Sequence, residues 1–465
     1  IQQILFVRYT QEIANKLPVI DLKRSNDFYL PELTNRFFEI PALQKGLSKL
    51  LLEFPTASIQ ILFGLILLSF YHPAFILFGI LLVVILGTIL YYTGARGLST
   101  SIEESTQKYS LAAWLEEMAR GAKAFKFEPD GPILTQNSEQ RTIRYLDKRT
   151  QHFRVLLFQY RILVFFKTTI TAAMLLVGSI LLLDQQLNIG QFIAAEIVIL
   201  IVIGAVEKLI GNLDSVYDVL TSVDKMAKLT EKPEELSGRL PMPWRKEGIT
   251  IELQQLRFGF HPEQKILEDV NGRIPSGGKA CITGPDGSGK STLLQLLGGI
   301  YTDFEGGLLY DGIPIANYQI DTLRAQIGIS LSGQHIFQGS VWENVTMGRT
   351  DITIEELMEW TVALRFDKQL QEWPLGWDTP LSPLGSRLSG STIRKILLLR
   401  AMAKKPRLLL LEEPWRGCGE ADRKAIQDLL LHLPDSITVV VVTSDADFVA
   451  RCPIRIELNP ASTNA

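Results

Sequence analysis

Residues 281–300 read CITGPDGSGKSTLLQLLGGI. A short apolar run leads into G-x-x-x-x-G-K-S and then into an apolar helical pattern, which is the strand–turn–helix setting that a phosphate-binding loop requires. Gly284, Gly287 and Gly289 let the backbone curl so that successive N–H groups point inward at phosphate oxygens. The helix beginning near Lys290 adds its positive dipole end. The expected nucleotide contacts are Gly284, Pro285, Asp286, Gly287, Ser288, Gly289, Lys290, Ser291 and Thr292. Lys290 reaches the outer phosphates and Ser291 offers its hydroxyl to Mg2+, so ATP and Mg2+ are the expected ligands.

Outward from this turn, short apolar runs alternate with helical patterns from about Ile249 onward. KACITG (279–284), RLLLLEE (407–413) and SITVVVVTS (436–444) read as buried parallel strands, and the C-terminal half is therefore α/β. The leucine strand ends in two carboxylates. Glu412 is expected to hold Mg2+ through water, and Glu413 to activate or orient the attacking water as the catalytic group.

The N-terminal half has a different composition. From Phe54 to Ala95 no ionisable side chain occurs except His72 and tyrosines. That length suffices for two membrane helices at about 20 residues each, with a turn at Tyr71, His72 and Pro73. A second pair is expected over 162–183 and 187–206, split by DQQLNIG, which makes an all-α transmembrane bundle of four spans. Lysines and arginines, from Arg8 and Lys23 to Lys148 and Arg149, gather in 1–49 and 96–161, whereas the two short turns contain none. The basic segments are therefore expected to face the cytoplasm. Residues 96–161 suit a long helical hairpin folded at FEPDGP, and 25–37 a second cytoplasmic contact; Phe28, Tyr29, Phe125 and Phe127 favour packing over solvated helices. The expected division is a transmembrane domain over 1–235, a Pro- and charge-rich linker over 236–248, and a nucleotide-binding domain over 249–465.

A net charge of −3 argues against nucleic acid as a partner. Cys281, Cys418 and Cys452 have no metal-ligand spacing and read as reduced thiols. Glu196, inside QFIAAEIVIL, places a charge in a span at a cost of roughly 2.5–3.5 kcal/mol or more, and is either a cavity or ion-pathway carboxylate or a polar contact between helices.

A membrane bundle, then a phosphate loop, an LSG turn and a leucine strand with paired carboxylates together resemble the ATP-binding-cassette exporters in which membrane and ATPase domains are fused. PELTNRFFEIPALQKGLSKLL and NIGQFIAAEIVIL sit where such exporters carry their first cytoplasmic loop and their last membrane helix. The resemblance implies six membrane helices per subunit, so the first and most of the second are expected to lie outside this chain. It also implies that Phe260 stacks on adenine, and that Leu388, Ser389, Gly390 and Ser391 grip the γ-phosphate of an opposite subunit. Several positions depart from the family pattern. Ser391 and Thr392 replace the last Gly and Gln of the signature, Ser332 stands at the Mg2+-sensing glutamine, with Gln334 two residues on, Gly419 at an interface aspartate, and Ser444 at the histidine that meets γ-phosphate. Glu412 replaces an aspartate.

The resulting expectation is an integral membrane exporter subunit, with its ATPase domain in the cytoplasm at the cell or inner membrane. It pairs with a second half-transporter, homologous or identical, and hydrolyses ATP slowly. The alternative is a regulatory half that binds ATP while a better-equipped partner hydrolyses it.

Overall fold

The computed structural model describes residues 2–24, 30–128, 131–261 and 264–460. Phe28, Tyr29 and Pro129 of the expected cytoplasmic contacts lie outside the described residues. Two compact units emerge: a helical one of Ile1–Val19 with Asp27–Lys232, and a sheet-containing one of Ile20–Asn26 with Pro233–Ala465.

The helical unit is built on helices Glu39–Tyr71, Pro73–Arg120, Pro132–Leu183 and Ile189–Gly211, the last continued by Leu213–Thr230. Among the described residues, four helical stretches are long and apolar enough to cross a membrane. Their breaks follow local chemistry. His72 adopts an extended φ/ψ of −162°/141° and its Nδ1 accepts from the Ala74 N–H at 3.1 Å, while Pro73 opens the next helix with no N–H to leave unpaired. Asn188 forms a reciprocal capping box with Gln191, which starts the fourth helix at Ile189 rather than at the expected Leu187; Leu187 is buried in the preceding turn. The expected hairpin arms are not separate helices. Pro73–Arg120 and Pro132–Leu183 run unbroken for 48 and 52 residues, about 72 and 78 Å at 1.5 Å per residue, well beyond a hydrocarbon layer of about 30 Å. Phe125 meets Trp114 edge-on at 6.4 Å, but Phe127 is 86% exposed.

The spans pack through small residues and one buried polar knot. A Cβ on Gly97 would lie 2.3 Å from the Tyr217 ring, so only glycine admits that ring. Gln159 Nε2 donates to Thr93 Oγ1 and to Tyr217 OH, each at 2.8 Å, tying three helices together. Lys167 and Glu207, charges placed within the candidate spans, pair at 2.9 Å. Phe70, Leu77, Phe165 and Leu183 point outward, as lipid-facing side chains do.

The second unit has a parallel sheet in the order Ile454–Glu457, Lys279–Thr283, Thr438–Val442, Leu408–Glu412 and Ile327–Ser330. Strands Leu408–Glu412 and Thr438–Val442 are almost wholly buried, which is why they are continuous runs of leucine and valine rather than alternating patterns. A second sheet, in the order Gln264–Ile274, Ile251–His261, Glu305–Tyr310 and Ile313–Pro314, is antiparallel. Helix Lys290–Leu297 buries Leu293, Leu294, Leu296 and Leu297 in the core between the sheets. The chain leading in from the helical unit is packed down: Gly238 and Leu240 N–H groups donate to Tyr318 and Asn317 carbonyls at 2.9 Å, and Glu235 takes both guanidinium nitrogens of Arg324 at 2.5 Å.

Candidate nucleotide site

In an open parallel sheet, the carboxyl ends of the strands are where ligands bind. Register brings three such ends level here, because Ile282 and Glu412 both pair with Val442. The phosphate turn therefore leaves one strand, Glu412 and Glu413 another, and Thr443 and Ser444 the strand between them.

The turn is shaped by its glycines. Gly284 has φ 149°, and a Cβ there would lie 2.4 Å from the Leu458 carbonyl oxygen; Gly289 has φ 84°, and a Cβ would lie 2.6 Å from Leu267. Lys290 opens the following helix and donates from Nζ to the Gly284 and Pro285 carbonyls at 2.8 and 2.7 Å, with Asp286 at 3.9 Å. Ser288 is 1% exposed, and its Oγ has no partner among the described residues. A turn lined with backbone N–H groups, a lysine and an unmet buried hydroxyl is chemically suited to phosphate oxygens.

Three residues after Ser288, Ser291 Oγ donates to Glu412 Oε1 at 2.5 Å. The other oxygen, Oε2, accepts from the backbone N–H of Ser332 at 2.8 Å. Ser332, expected at the Mg2+-sensing position, thus touches through its backbone the carboxylate expected to hold the metal. Gln334 cannot replace the missing side chain from where it lies, since its Oε1 accepts from the Leu331 N–H at 3.4 Å in a local turn. A hydroxyl and a carboxylate side by side form an all-oxygen donor set, which fits a hard cation of the Mg2+ type.

Glu413 is held apart from this pair. Its Oε1 accepts from the Ser444 N–H at 2.9 Å and from Ser444 Oγ at 3.4 Å, and its Oε2 accepts from Thr443 Oγ1 at 3.2 Å. Its backbone sits at φ 43°, a left-handed conformation uncommon for glutamate. Sequence reasoning missed Thr443, although its place directly after the valine run was a usable signal once the strands were paired.

Two expected parts lie apart from this constellation. Phe260 packs edge-on against Phe258 and Tyr301, with centroids 5.3 and 5.4 Å away, and borders a cavity of about 420 Å3 that also meets Lys23, Phe304 and Lys265. The signature turn caps helix Gly390–Ala403: Ser389 Oγ accepts from the Thr392 N–H at 3.2 Å and lies 2.9 and 2.8 Å from the Ser391 and Thr392 hydroxyls. Leu388 is half-buried, Ser389 and Gly390 are exposed, and no hydrogen bond joins this turn to the phosphate turn among the described residues. Thr392 is turned inward, its Oγ1 donating to Gln369 at 3.0 Å. Gly419 caps helix Glu420–Leu431 with its backbone alone.

Comparison with known proteins gives two family matches, the ABC transporter transmembrane region over residues 12–206 and the ABC transporter domain over 267–416. The mitochondrial iron-sulfur clusters transporter ATM1 of Saccharomyces cerevisiae is 32% identical over 211 residues, covering 45% of this chain and 29% of that protein. The uncharacterized ABC transporter ATP-binding protein YwjA of Bacillus subtilis is 26% identical over 275 residues, 59% of this chain and 48% of that one. The chain thus matches less than half the length of these relatives. A solved bacterial Atm1-family ABC exporter with ATP bound superposes with a TM-score of 0.86 over 99% of this chain and 82% of its own, at 17% identity, which shows a shared fold.

Proposed function

Because this chain belongs to the ABC transporters of exporter type, with that family's transmembrane region and ATPase domain in one polypeptide, we propose that it is one subunit of a dimeric exporter powered by ATP. The division proposed is a membrane domain over 1–235, a linker over 236–248 and an ATPase domain over 249–465 on the cytoplasmic side, a reading that the lysine- and arginine-bearing segments support.

The observation that carries this reading is Glu413, fixed by three hydrogen bonds at the strand ends beside the phosphate turn. ATP binds with its phosphates in the turn 284–292 and its adenine on Phe260. Ser291 and Glu412 would hold Mg2+, which would supply charge neutralisation at the phosphates. Glu413 receives the proton of a water attacking γ-phosphorus, ADP leaves, and Lys290 offsets the charge on the outer phosphates. The signature turn, Leu388 to Ser391, has no role toward its own phosphate turn and serves the one across a dimer, presenting Ser389 and the exposed amide of Gly390 at a helix N-terminus.

Hydrolysis is slow in this proposal. Ser444 reaches Glu413 but is short for a γ-phosphate contact, and the Ser391 side chain crowds the approach that a glycine leaves open. Losing one such stabilising group costs on the order of 10²–10³ in rate.

The test is ATP turnover by the purified full chain in lipid nanodiscs with Mg2+. The wild type is expected to exceed both Lys290→Ala and Glu413→Gln by about 10²-fold or more. A wild-type rate equal to that of Glu413→Gln removes the proposal of a hydrolysing subunit.

A further inference from the structure

The helical unit contains a polar cavity of about 710 Å3 that nucleotide chemistry does not use. Helices Glu39–Tyr71, Pro73–Arg120, Pro132–Leu183 and Leu213–Thr230 wall it. It lies past the membrane core: Ser101, on its wall, follows Pro73 by roughly 28 residues, about 42 Å of helix against a hydrocarbon thickness of about 30 Å.

The charges around it are unequally satisfied. Lys108 pairs with Glu39 at 3.1 Å, and Glu39 also accepts from Tyr109 OH and Ser222 Oγ at 2.5 and 2.9 Å. Arg149 pairs with Glu104 at 2.6 Å. Both wall cations therefore already have a carboxylate. Asp214 has only a long contact, 3.4 Å, with His152 Nε2. Asp218, one helical turn further on the same face, makes no hydrogen bond or ion pair among the described residues. Independently, Ser105 lines the cavity, is 7% exposed, and has an Oγ without a partner among the described residues. An unmet buried hydroxyl is unfavourable, so this group points to an absent guest.

What the cavity lacks is thus N–H donors and positive charge. We propose that the cavity binds a ligand bearing aliphatic ammonium groups, with Asp218 as the anionic anchor, Ser105 Oγ accepting a hydrogen bond, and Asp214 close enough to take a second ammonium. Its size suits an extended polyamine or the amino end of a short peptide rather than a single small amine. Resting on the exporter reading, this makes it a reception site for cationic cargo on the cytoplasmic side of the bundle.

Spermidine is the probe, titrated calorimetrically into the full chain in phosphatidylcholine nanodiscs, which carry no net lipid charge to attract it. Saturable uptake is expected, weakened about tenfold or more by Asp218→Asn and recovered by Asp218→Glu. A glycine tripeptide with a free amino end is expected to compete, and its N-acetylated form is not; saturable uptake of the tripeptide without uptake of spermidine assigns the site to peptide amino ends. Uptake unchanged by Asp218→Asn, displacement by equimolar Mg2+, or no saturable uptake of either probe at millimolar concentration overturns the proposal. Lys290→Ala separates the two readings, since it is expected to abolish ATP turnover and leave spermidine uptake as it was. Uptake without any turnover in the wild type leaves the cavity and removes the exporter, and turnover without uptake does the reverse.

Discussion

Glu413 combines a strained backbone with a fully engaged side chain. Its left-handed φ of 43° costs on the order of 1–3 kcal/mol at a functional site, and the surrounding strands and the Thr443 and Ser444 donors maintain it. Thr443 touches Glu413 rather than any phosphate position, so removing its hydroxyl disturbs orientation and not binding. Thr443→Val is accordingly expected to lower kcat for ATP about tenfold with KM little changed, as steady-state turnover across ATP concentrations will show. A rise in KM at constant kcat would place Thr443 on the nucleotide instead. The place of Glu413 at a strand end was legible in the sequence, because paired carboxylates close a leucine strand downstream of a phosphate turn. Its partners were not legible, since residues 413 and 443 meet only through the register that pairs Val442 with Glu412. The altered signature shows the same limit. Thr392 reads in sequence as a lost glutamine, yet in the structure it faces inward within the first turn of the helix, its N–H capped by Ser389 and its hydroxyl bonded to Gln369.

Among the elements, strand Lys279–Thr283 delivers the phosphate turn and begins with a lysine that is 8% exposed. Its Nζ donates to the Gly277 and Ile437 carbonyls at 2.8 and 2.9 Å. Burial holds this ammonium below the ordinary lysine range, and Asp435 pulls it partly back. In the unfolded chain the same group keeps its usual value of 10.5. Between the two values the unfolded state binds more protons, so Lys279 makes stability rise with pH across that window, and its full cost is felt below the folded value. Six of the seven tryptophans lie at 244 or beyond, so tryptophan fluorescence in urea follows this unit. The wild type is expected to gain more stability than Lys279→Met between pH 8 and the usual lysine value; parallel pH dependences would show that burial of the ammonium has no such effect. Elements were legible here wherever burial was complete, as in the leucine and valine strands. The long helices were legible as separate pieces, membrane spans and hairpin arms, but not as continuous elements, because composition changes at the membrane surface while the backbone continues as helix through residues such as Ser101 and Arg149. Where the helices begin was set by His72, the proline at 132 and Asn188, local signals that composition alone does not weigh.

At the scale of the molecule, the chain passes from one unit to the other three times, because Ile20–Asn26 belong with the ATPase unit although helical-unit residues flank them on both sides. Asp21 donates its backbone N–H to the Pro233 carbonyl at 2.9 Å, and Ile20 bridges Glu234, so this excursion lies beside the later entry of the chain into the same unit. Lys23 fastens it near the expected adenine position, reaching the Asp303 carbonyl at 2.9 Å and carboxylate at 3.1 Å and lying 4.9 Å from the Phe258 ring centre. If nucleotide binding moves the aromatic cluster, the pull is expected to fall on a segment whose chain continues into the helices Gln2–Lys16 and Glu39–Tyr71. Sequence reading placed a contact at 25–37 from its aromatic residues but not the anchor at Lys23, a lone lysine in a basic segment with nothing local to single it out. Lys23→Glu sets a carboxylate against Asp303 and releases the tie while sparing the phosphate turn. ATP affinity is expected to stay within a few-fold of wild type, whereas the ATP-induced change in amide hydrogen exchange disappears from the helical unit and persists around the phosphate turn. An undiminished response in helix Pro132–Leu183 would mean that nucleotide occupancy reaches the bundle by another route, and that the segment 20–26 is an attachment rather than a lever.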